Sequence, residues 1–310
     1  RLLVAGAVRI GEFCLGTRYR SNPLLRRMIG AARWISYWAA VRAHGGFPKA
    51  RRLLVLCYHA ITDQSADPVL APFGVPPPRF LEHLASLRGR GFVFVGPEAM
   101  AAFLYDGALM PRRAVLLTFD DCYHDLLGVA RNVLRPSGIE ALAFAVTNLA
   151  SGTNEWDQPH GAVRTALLDP QQLRELASLG VEVGAHSRTH RAMPQLSDRD
   201  RAIEASGARS DLASLGLPEP RFFAYPYGAT DDPTIAAVRA AGYVGGFAVA
   251  SRWADLASDP FRIPRVAIMA NDKGWRFRFK TTSPRLFGWV NARIQRFFRI
   301  FRNAAQPSLA

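Results

Sequence analysis

Cysteine and lysine are both scarce in this chain. Its three cysteines, Cys14, Cys57 and Cys122, are scattered over 310 residues and form no CxxC pair. We therefore predict no disulfide framework, and a reducing compartment suits all three thiols. Only three of the 39 basic residues are lysine, which we attribute to the base composition of the genome.

A long apolar run is also absent. Leu2–Val8 is a short apolar segment before Arg9, and no convincing signal-peptide cleavage region follows it. Met28–Val41 is interrupted by Arg33 and is shorter than a bilayer-spanning helix. These observations predict a cytoplasmic location or one peripheral to the inner membrane. The chain begins with Arg1 rather than methionine, and its true start can lie upstream.

Positive charge is concentrated at the two ends of the chain. Residues 1–52 carry a net charge of +10 and residues 271–310 carry +8, whereas residues 53–270 carry −4. We predict a catalytic domain over residues 53–270, between a basic helical N-terminal extension and a basic amphipathic C-terminal extension. A nucleic-acid-binding domain would carry its positive charge on the folded body, so nucleic acid is not a predicted partner.

Strand and helix patterns alternate through the central domain. Unbroken apolar runs are typical of strands buried on both faces of a parallel sheet, and polar side chains come where these runs end. This order predicts an α/β barrel with its active site in the loops that follow the strands. The predicted strands are 53–58, 92–95, 114–119, 141–146, 181–185, 222–225, 247–250 and 266–269, and the predicted helices are 79–90, 126–134, 170–179, 199–215 and 233–241.

Asp120 and Asp121 directly follow the predicted strand 114–119. Adjacent carboxylates at a strand end can cap a helix or face solvent, and this structural interpretation stays open. They can also divide the work of a metal-dependent hydrolase. In such an enzyme one carboxylate binds the metal and the other acts as a general base.

His186 and His190 follow the predicted strand 181–185 and are four residues apart. If this segment forms a helical turn, both rings face the same way and can share one metal ion. The alternative is that each histidine caps or packs against its neighbours. Because the chain has only seven histidines, a pair directly after a strand favours the metal-ligand interpretation.

A third polar segment, residues 225–228, reads Tyr-Pro-Tyr-Gly and ends the predicted strand 222–225. Proline and glycine form tight turns, which is a sufficient structural explanation. The functional alternative is that the backbone N–H of Tyr227 points at an oxyanion.

Taken in order, these segments resemble the polysaccharide deacetylase family, also called the NodB-homology domain or carbohydrate esterase family four. The resemblance covers about residues 53–270 and is greatest to the bacterial branch associated with exopolysaccharides. Its motifs are Leu-Cys-Tyr-His at 56–59, the Asp pair, His-Ser-x-x-His at 186–190, Phe-Ala-Tyr-Pro-Tyr-Gly at 223–228 and Ile-Pro-Arg at 263–265. The resemblance implies a distorted (β/α)7 barrel.

The same resemblance implies a hydrolase of carbon–nitrogen bonds other than peptide bonds, which removes N-acetyl groups from a polysaccharide or other glycan. Asp120 would be the general base. Asp121, His186 and His190 would hold a divalent metal, commonly zinc, and the Tyr227 N–H would hold the oxyanion.

The chain departs from the family pattern in several places. Cys122 stands where glycine usually follows the Asp pair. Ala224 stands where many members have an arginine that pairs with the base, and we predict that Arg265 replaces that arginine. The late histidine that serves the family as general acid is absent, because no histidine follows His190.

His59, at the end of the first strand, is the predicted replacement for the missing acid, and His124 is the next candidate. The late aspartate that usually tunes this histidine is not identifiable, and Asp255 and Asp259 are only weak candidates for it.

Residues 284–303 form a predicted basic amphipathic helix. Its apolar stripe contains Leu286, Val290, Ile294, Phe297 and Phe301, and its arginines lie off this stripe. One interpretation is peripheral contact with an anionic membrane, which residues 29–41 could share. The other is that the stripe packs on the barrel.

Two further functions stay open at this point. The missing late histidine and the altered third motif are compatible with a degenerate barrel that binds a glycan without turnover. A deacylase of a different acyl amide or ester would use the same residues. The intact Asp pair and histidine pair favour an enzyme, because binding alone does not require a free carboxylate.

Overall fold

A closed barrel of seven parallel strands forms the centre of the molecule, of which the computed structural model describes residues 49–289. The strands are β1 (Arg52–Tyr58), β2 (Ala114–Asp121), β3 (Ala141–Ala145), β4 (Val181–Ala185), β5 (Phe222–Ala224), β6 (Gly245–Val249) and β7 (Ile263–Ala267). Their order around the barrel is β1-β7-β6-β5-β4-β3-β2. Residues 53–58 of β1 pair in register with residues 114–119 of β2, which closes the ring. The predicted (β/α)7 barrel is confirmed.

Seven α-helices that lie wholly within the described residues accompany these strands. They are α1 (Pro77–Gly89), α2 (Pro97–Tyr105), α3 (Asp125–Val129), α4 (Pro170–Ser178), α5 (Asp198–Ser214), α6 (Asp232–Ala240) and α7 (Gly274–Thr282). Five of them had predicted bounds, and four of these five, α1, α4, α5 and α6, lie within two residues of those bounds. Asp169 caps α4 in a capping box with Gln172. The predicted helix 126–134 is divided, because α3 continues as a π-helical turn over residues 130–134.

The apolar strand residues divide between two cores. Leu54 and Leu56 pack with Phe80 and Leu84 of α1, between the barrel and its helices. Leu53 and Val55 belong to a second core inside the barrel. Alternate residues of one strand point to opposite faces, so an unbroken apolar run supplies both cores at once.

Helix α2 was not predicted from the sequence. Its Met100 and Phe103 are fully buried in the inner core, where they pack with the residues at the amino ends of the strands. Two-residue strands lie at the same end of the barrel: Val93–Phe94 extends the sheet beside β2, and Ala254–Asp255 pairs antiparallel with the start of β1.

Part of the predicted C-terminal extension packs on the barrel. Phe277 of α7 is buried, and its ring stacks on His83 with centroids 3.9 Å apart. Residues 284–289 are helical. Phe287 is buried there, whereas Leu286 and Trp289 are about half exposed.

Several predictions fall beyond the described residues. The rest of the predicted amphipathic helix, residues 290–303, and the N-terminal segment 29–41 both lie outside them. Among residues 49–289, no helix combines the length and apolarity needed to span a bilayer.

Candidate active site

The motif residues meet at the carboxyl end of the barrel. Asp120 and Asp121 are the last two residues of β2, which runs two residues further than predicted. His186 directly follows β4, and the turn that contains Tyr227 follows β5. Parallel strands bring these separate segments to one opening, because all their carboxyl ends lie on the same side.

Asp121, His186 and His190 form a compact set of ligand atoms. The Oδ1 atom of Asp121 lies 3.5 Å from Nε2 of His186 and 3.5 Å from Nε2 of His190. Ligand atoms about 2.0–2.2 Å from a tetrahedral metal ion lie about 3.4 Å from one another. All three side chains are buried, and Oδ1 of Asp121 accepts no hydrogen bond from any described residue. The donor set therefore fits a divalent metal ion.

The protonation of this set also suits a metal. Burial lowers the pKa of His186 and, together with the neighbouring His186, that of His190. Nδ1 of His186 donates to the carbonyl oxygen of Ala224 at 2.8 Å, which leaves the lone pair of Nε2 directed at Asp121. Burial, Asp120 and Asp157 raise the pKa of Asp121, and a bound cation would restore its charged form.

The segment between the two histidines is an irregular loop, not the helical turn considered from the sequence. Ser187 and His190 both have left-handed backbones, with φ of 62° and 60°. Glu204 of α5 holds this loop, because its carboxylate accepts from the backbone N–H groups of Arg188 at 2.8 Å and Thr189 at 3.0 Å. Sequence analysis missed Glu204, which lies on a helix outside every motif.

Arg265 makes a bidentate ion pair with Asp120. Its Nη1 and Nη2 atoms donate to the two carboxylate oxygens at 2.5 and 2.8 Å, and both side chains are buried. Burial, the largest single cause, raises the pKa of Asp120, but Arg265, His186 and His59 together outweigh it and hold that pKa well below its usual range. The predicted contact between Arg265 and this carboxylate is therefore present. Cys57, also missed from the sequence, donates its thiol to Oδ2 at 3.3 Å.

His59 lies beside the same carboxylate. One of its ring nitrogens is within 4.8 Å of an oxygen of Asp120. Burial lowers the pKa of His59 to about 4, with Asp120 opposing the shift and Arg265 adding to it. His59 is therefore neutral at pH 7. His124, the second candidate, instead contacts Gln172 at the surface.

The two aspartates considered as partners for the acid are both at the wrong end of the barrel. Asp255 pairs with Arg52 at the amino end of β1, seven residues before His59. Asp259 accepts from the backbone of Phe261, just before β7 begins. Both assignments are wrong, because these residues precede the strands whose carboxyl ends carry the site.

Aromatic rings enclose His190. The Trp156 ring stacks on it with centroids 4.4 Å apart, and the Tyr227 ring meets it edge-on at 4.7 Å. The Tyr227 backbone is left-handed, with φ of 59°. The next residue is Gly228, and a larger residue would not fit there, because its Cβ would lie 2.6 Å from Val249. Trp156, a lone tryptophan between two motifs, had no signal in the sequence.

Cys122 adopts the conformation that the usual glycine would have. Its φ is 55°, and its side chain is buried in the outer core. Burial and the two adjacent carboxylates raise the pKa of its thiol, so it stays protonated and weakly nucleophilic.

The geometry agrees with a match to known proteins. Residues 108–246 match the family model described as polysaccharide deacetylase. This match places a polysaccharide deacetylase domain at residues 108–246. Together with relatives that are named deacetylases, it confirms the predicted enzyme class, a hydrolase of carbon–nitrogen bonds other than peptide bonds.

A curated relative is similar to this chain in sequence, and two solved structures share its fold. The poly-beta-1,6-N-acetyl-D-glucosamine N-deacetylase of Staphylococcus epidermidis is 27% identical over 171 residues, which cover 52% of this chain and 56% of that enzyme. The structure of the Streptococcus pyogenes deacetylase PplD in complex with acetate is similar with a TM-score of 0.62 and 24% identity, over 74% of this chain and 98% of that one. IcaB from Ammonifex degensii gives a TM-score of 0.64 at 22% identity, over 75% and 98% of the two chains.

Proposed function

We propose that this protein removes N-acetyl groups from an N-acetylated glycan in a metal-dependent reaction. The observation that carries the proposal is that the two adjacent aspartates have different partners. Asp121 joins the two histidines in a set that fits a metal. Asp120, whose Oδ2 lies 3.9 Å from Nε2 of His186, is outside this set and is an ionised carboxylate paired with Arg265.

Asp121, His186 and His190 would hold the ion, and zinc suits a set of two imidazoles and one carboxylate. Such an ion activates water and polarises the carbonyl group of the acetamide. Asp120 accepts the proton of the attacking water, and Arg265 keeps this carboxylate ionised and oriented. The Tyr227 N–H donates to the oxygen that becomes negative during the attack.

His59 would return a proton to the leaving amine. Because it is neutral at pH 7, it can deliver only a proton that it has first taken up. Its ring lies beside Asp120, so the proton that this carboxylate takes from water has a short path to it. The products are acetate and an amino sugar.

The nature of the glycan is part of the proposal. The Staphylococcus epidermidis relative acts, by its name, on poly-beta-1,6-N-acetyl-D-glucosamine. We extend this class, a polymer rich in N-acetylglucosamine, to the present chain. A peripheral position at an anionic membrane, through the basic ends, remains a prediction.

Metal analysis combined with acetate release tests this proposal. The purified chain should contain about one equivalent of metal and release acetate from N-acetylglucosamine oligomers, and a chelator should stop the release. The double variant His186→Ala/His190→Ala should lose both properties.

His160→Ala is the matched control, because His160 lies outside the ligand set. Metal without acetate release would favour a different acyl substrate or a glycan-binding barrel. A folded, metal-replete preparation that holds no metal would contradict the proposal.

A further inference from the structure

A cavity opens at the same end of the barrel as the candidate active site. Its volume is about 540 Å³, within the range of small-molecule sites. Val249 and Ala267, the last residues of β6 and β7, form part of its wall.

Two of its walls adjoin residues of the candidate active site. Val249 packs against Gly228, which directly follows Tyr227. Pro72, which also lines the cavity, precedes Phe73, whose ring lies 5.0 Å from the ring of His59. A chain of sugars that places one acetamide at the Asp pair can therefore extend a neighbouring sugar into this cavity.

The described residues that line this cavity include two cationic side chains, Arg276 and Lys280, and no acidic one. Ser251 and Asn271 add neutral hydrogen-bonding groups, and Phe287 adds an apolar surface. This combination of a cation, hydrogen-bonding groups and an aromatic ring is suited to a sugar that bears a negative charge.

The positive charge of Arg276 and Lys280 exceeds the negative charge of the carboxylate that pairs with them. Asp272, which is fully buried, accepts from Nε of Arg276 at 3.0 Å and from Nζ of Lys280. One carboxylate between two cations leaves one positive charge in excess. Arg276 uses only its Nε in this ion pair, and its guanidinium group has four further N–H donors.

We propose that this cavity binds an anionic substituent, a carboxylate or a phosphate, on a sugar next to the one that loses its acetyl group. This inference rests on the proposed function and narrows its substrate to an acidic N-acetylated glycan. It also has a consequence for the product, because an amino sugar produced earlier carries a positive charge. The excess charge of the cavity would repel that sugar and disfavour the removal of acetyl groups from adjacent sugars.

Binding to the full chain tests this inference separately from turnover. The first probe is an oligosaccharide of alternating glucuronic acid and N-acetylglucosamine, and its matched control is the same oligosaccharide with each carboxyl reduced to a hydroxymethyl group. A third probe carries a 6-phosphate at the reduced positions, which distinguishes phosphate from carboxylate. Calorimetry on chelator-treated protein measures affinity without hydrolysis.

We expect at least one acidic probe to bind about tenfold more tightly than the neutral one, the size of one charge-assisted contact. The preference should shrink to less than threefold in Arg276→Gln and persist in Arg276→Lys. It should also persist in Arg131→Gln, the control variant, whose arginine pairs with Glu175 at the surface. Lys280 still pairs with Asp272 in each Arg276 variant, and circular dichroism checks that each variant is folded.

Equal binding of acidic and neutral probes, binding of neither, or an unchanged preference in Arg276→Gln would overturn this inference. Failure of the proposed function has a different signature. A charge preference in the chelated protein, without acetate release from any probe after metal is restored, would support the anionic site and contradict the deacetylase. Acetate release without a charge preference would support the deacetylase and contradict the anionic site.

Discussion

At the scale of single residues, the pairing of Arg265 with Asp120 is the most consequential contact in the site. The two residues are 145 positions apart in the chain, and the guanidinium also lies over the rings of Phe144 and Phe247 inside the barrel. A buried carboxylate without such a partner would be unstable in its charged form. Arg265 therefore supports both the fold and the ionised state of the proposed base.

Replacement of Arg265 by Gln tests this double role. We expect the free energy of unfolding to fall by about 3–5 kcal/mol, because the carboxylate of Asp120 is left buried without its cation. Acetate release should fall by about 100-fold or more, since a general base contributes about 10²–10⁴-fold. Urea denaturation and an acetate assay measure the two effects.

Arg221→Gln is the control for this variant. Arg221 also makes a bidentate pair, with Glu182, but in a partly exposed position, so the expected loss is below about 1 kcal/mol. Similar losses of stability and activity in both variants would show that burial of the Arg265 pair is unimportant.

At the scale of elements, the loop after β4 depends on the helix that follows it. Two left-handed, non-glycine residues are costly in a loop, and such conformations persist only where the surroundings hold them. The buried carboxylate of Glu204 on α5 supplies this support through the N–H groups of Arg188 and Thr189. Helix α5 therefore holds the loop between the two histidines without supplying a ligand to the proposed metal.

Replacement of Glu204 by Ala should weaken metal binding by about 10–100-fold, the usual cost of losing a group that orients ligands. Glu204→Gln keeps one carbonyl oxygen that can accept, so its loss should be smaller. Competition with a chelating dye measures the affinity for zinc and does not require activity. Glu175→Ala, which removes only a surface partner of Arg131, is the control, and equal affinities in all variants would contradict this role.

Helix α2 has a purely structural importance at the opposite end of the barrel. Phe103 is fully buried among the inner-core residues, so Phe103→Ala should lower the free energy of unfolding by about 3–5 kcal/mol. Leu81→Ala is the control, because Leu81 is half exposed on α1 and its loss should cost little. Thermal denaturation measures both variants. Equal melting temperatures for Phe103→Ala and Leu81→Ala would contradict the structural role of α2.

At the scale of the whole molecule, a buried network joins β1 to α7 and the turn before it. Nδ1 of His83 lies 3.2 Å from the hydroxyl of Tyr58 in β1, and its Nε2 lies 2.5 Å from the carbonyl oxygen of Asp272. The His83 ring also stacks on Phe277 of α7. Segments more than 180 residues apart in the chain are thus held by one imidazole.

This network predicts a loss of stability in mild acid. Burial is the main cause that lowers the pKa of His83 from 6.5, although Asp272 opposes the shift. The His83 ring is neutral at pH 8 in both the folded and the unfolded chain. Below about pH 6.5 the ring binds a proton in the unfolded chain but stays neutral in the folded chain, because its pKa is lower there. Stability is therefore present above that pH and is lost as the pH falls.

The His83→Gln variant isolates this effect. It should be less stable than the parent protein at pH 8, because the ring stacking is lost, but its stability should decline less between pH 7 and pH 5. Urea denaturation at several pH values measures the two slopes. Parallel slopes would show that His83 does not contribute to the acid sensitivity.

The sequence by itself determined the order of the barrel strands, most of the helices between them and the residues of the candidate metal set. Unbroken apolar runs and the polar residues that end them are local patterns, and a parallel barrel converts each strand end into a position at one opening. Asp120, Asp121, His186 and His190 could therefore be predicted to lie together before any coordinates were known.

Only the tertiary structure decided which residues support that set. Arg265 could be proposed for Asp120 from its motif, but the contact depends on how β2 and β7 face each other across the barrel. Glu204 and Trp156 carry no local signal, because an isolated glutamate or tryptophan has the same pattern in many structural roles. Cys57 lies within a motif, but only the fold shows that its thiol reaches Asp120. The predictions for Asp255 and Asp259 were wrong for a related reason. Proximity in sequence to the last strand does not reveal which end of the barrel a loop occupies, because only the closed sheet determines that.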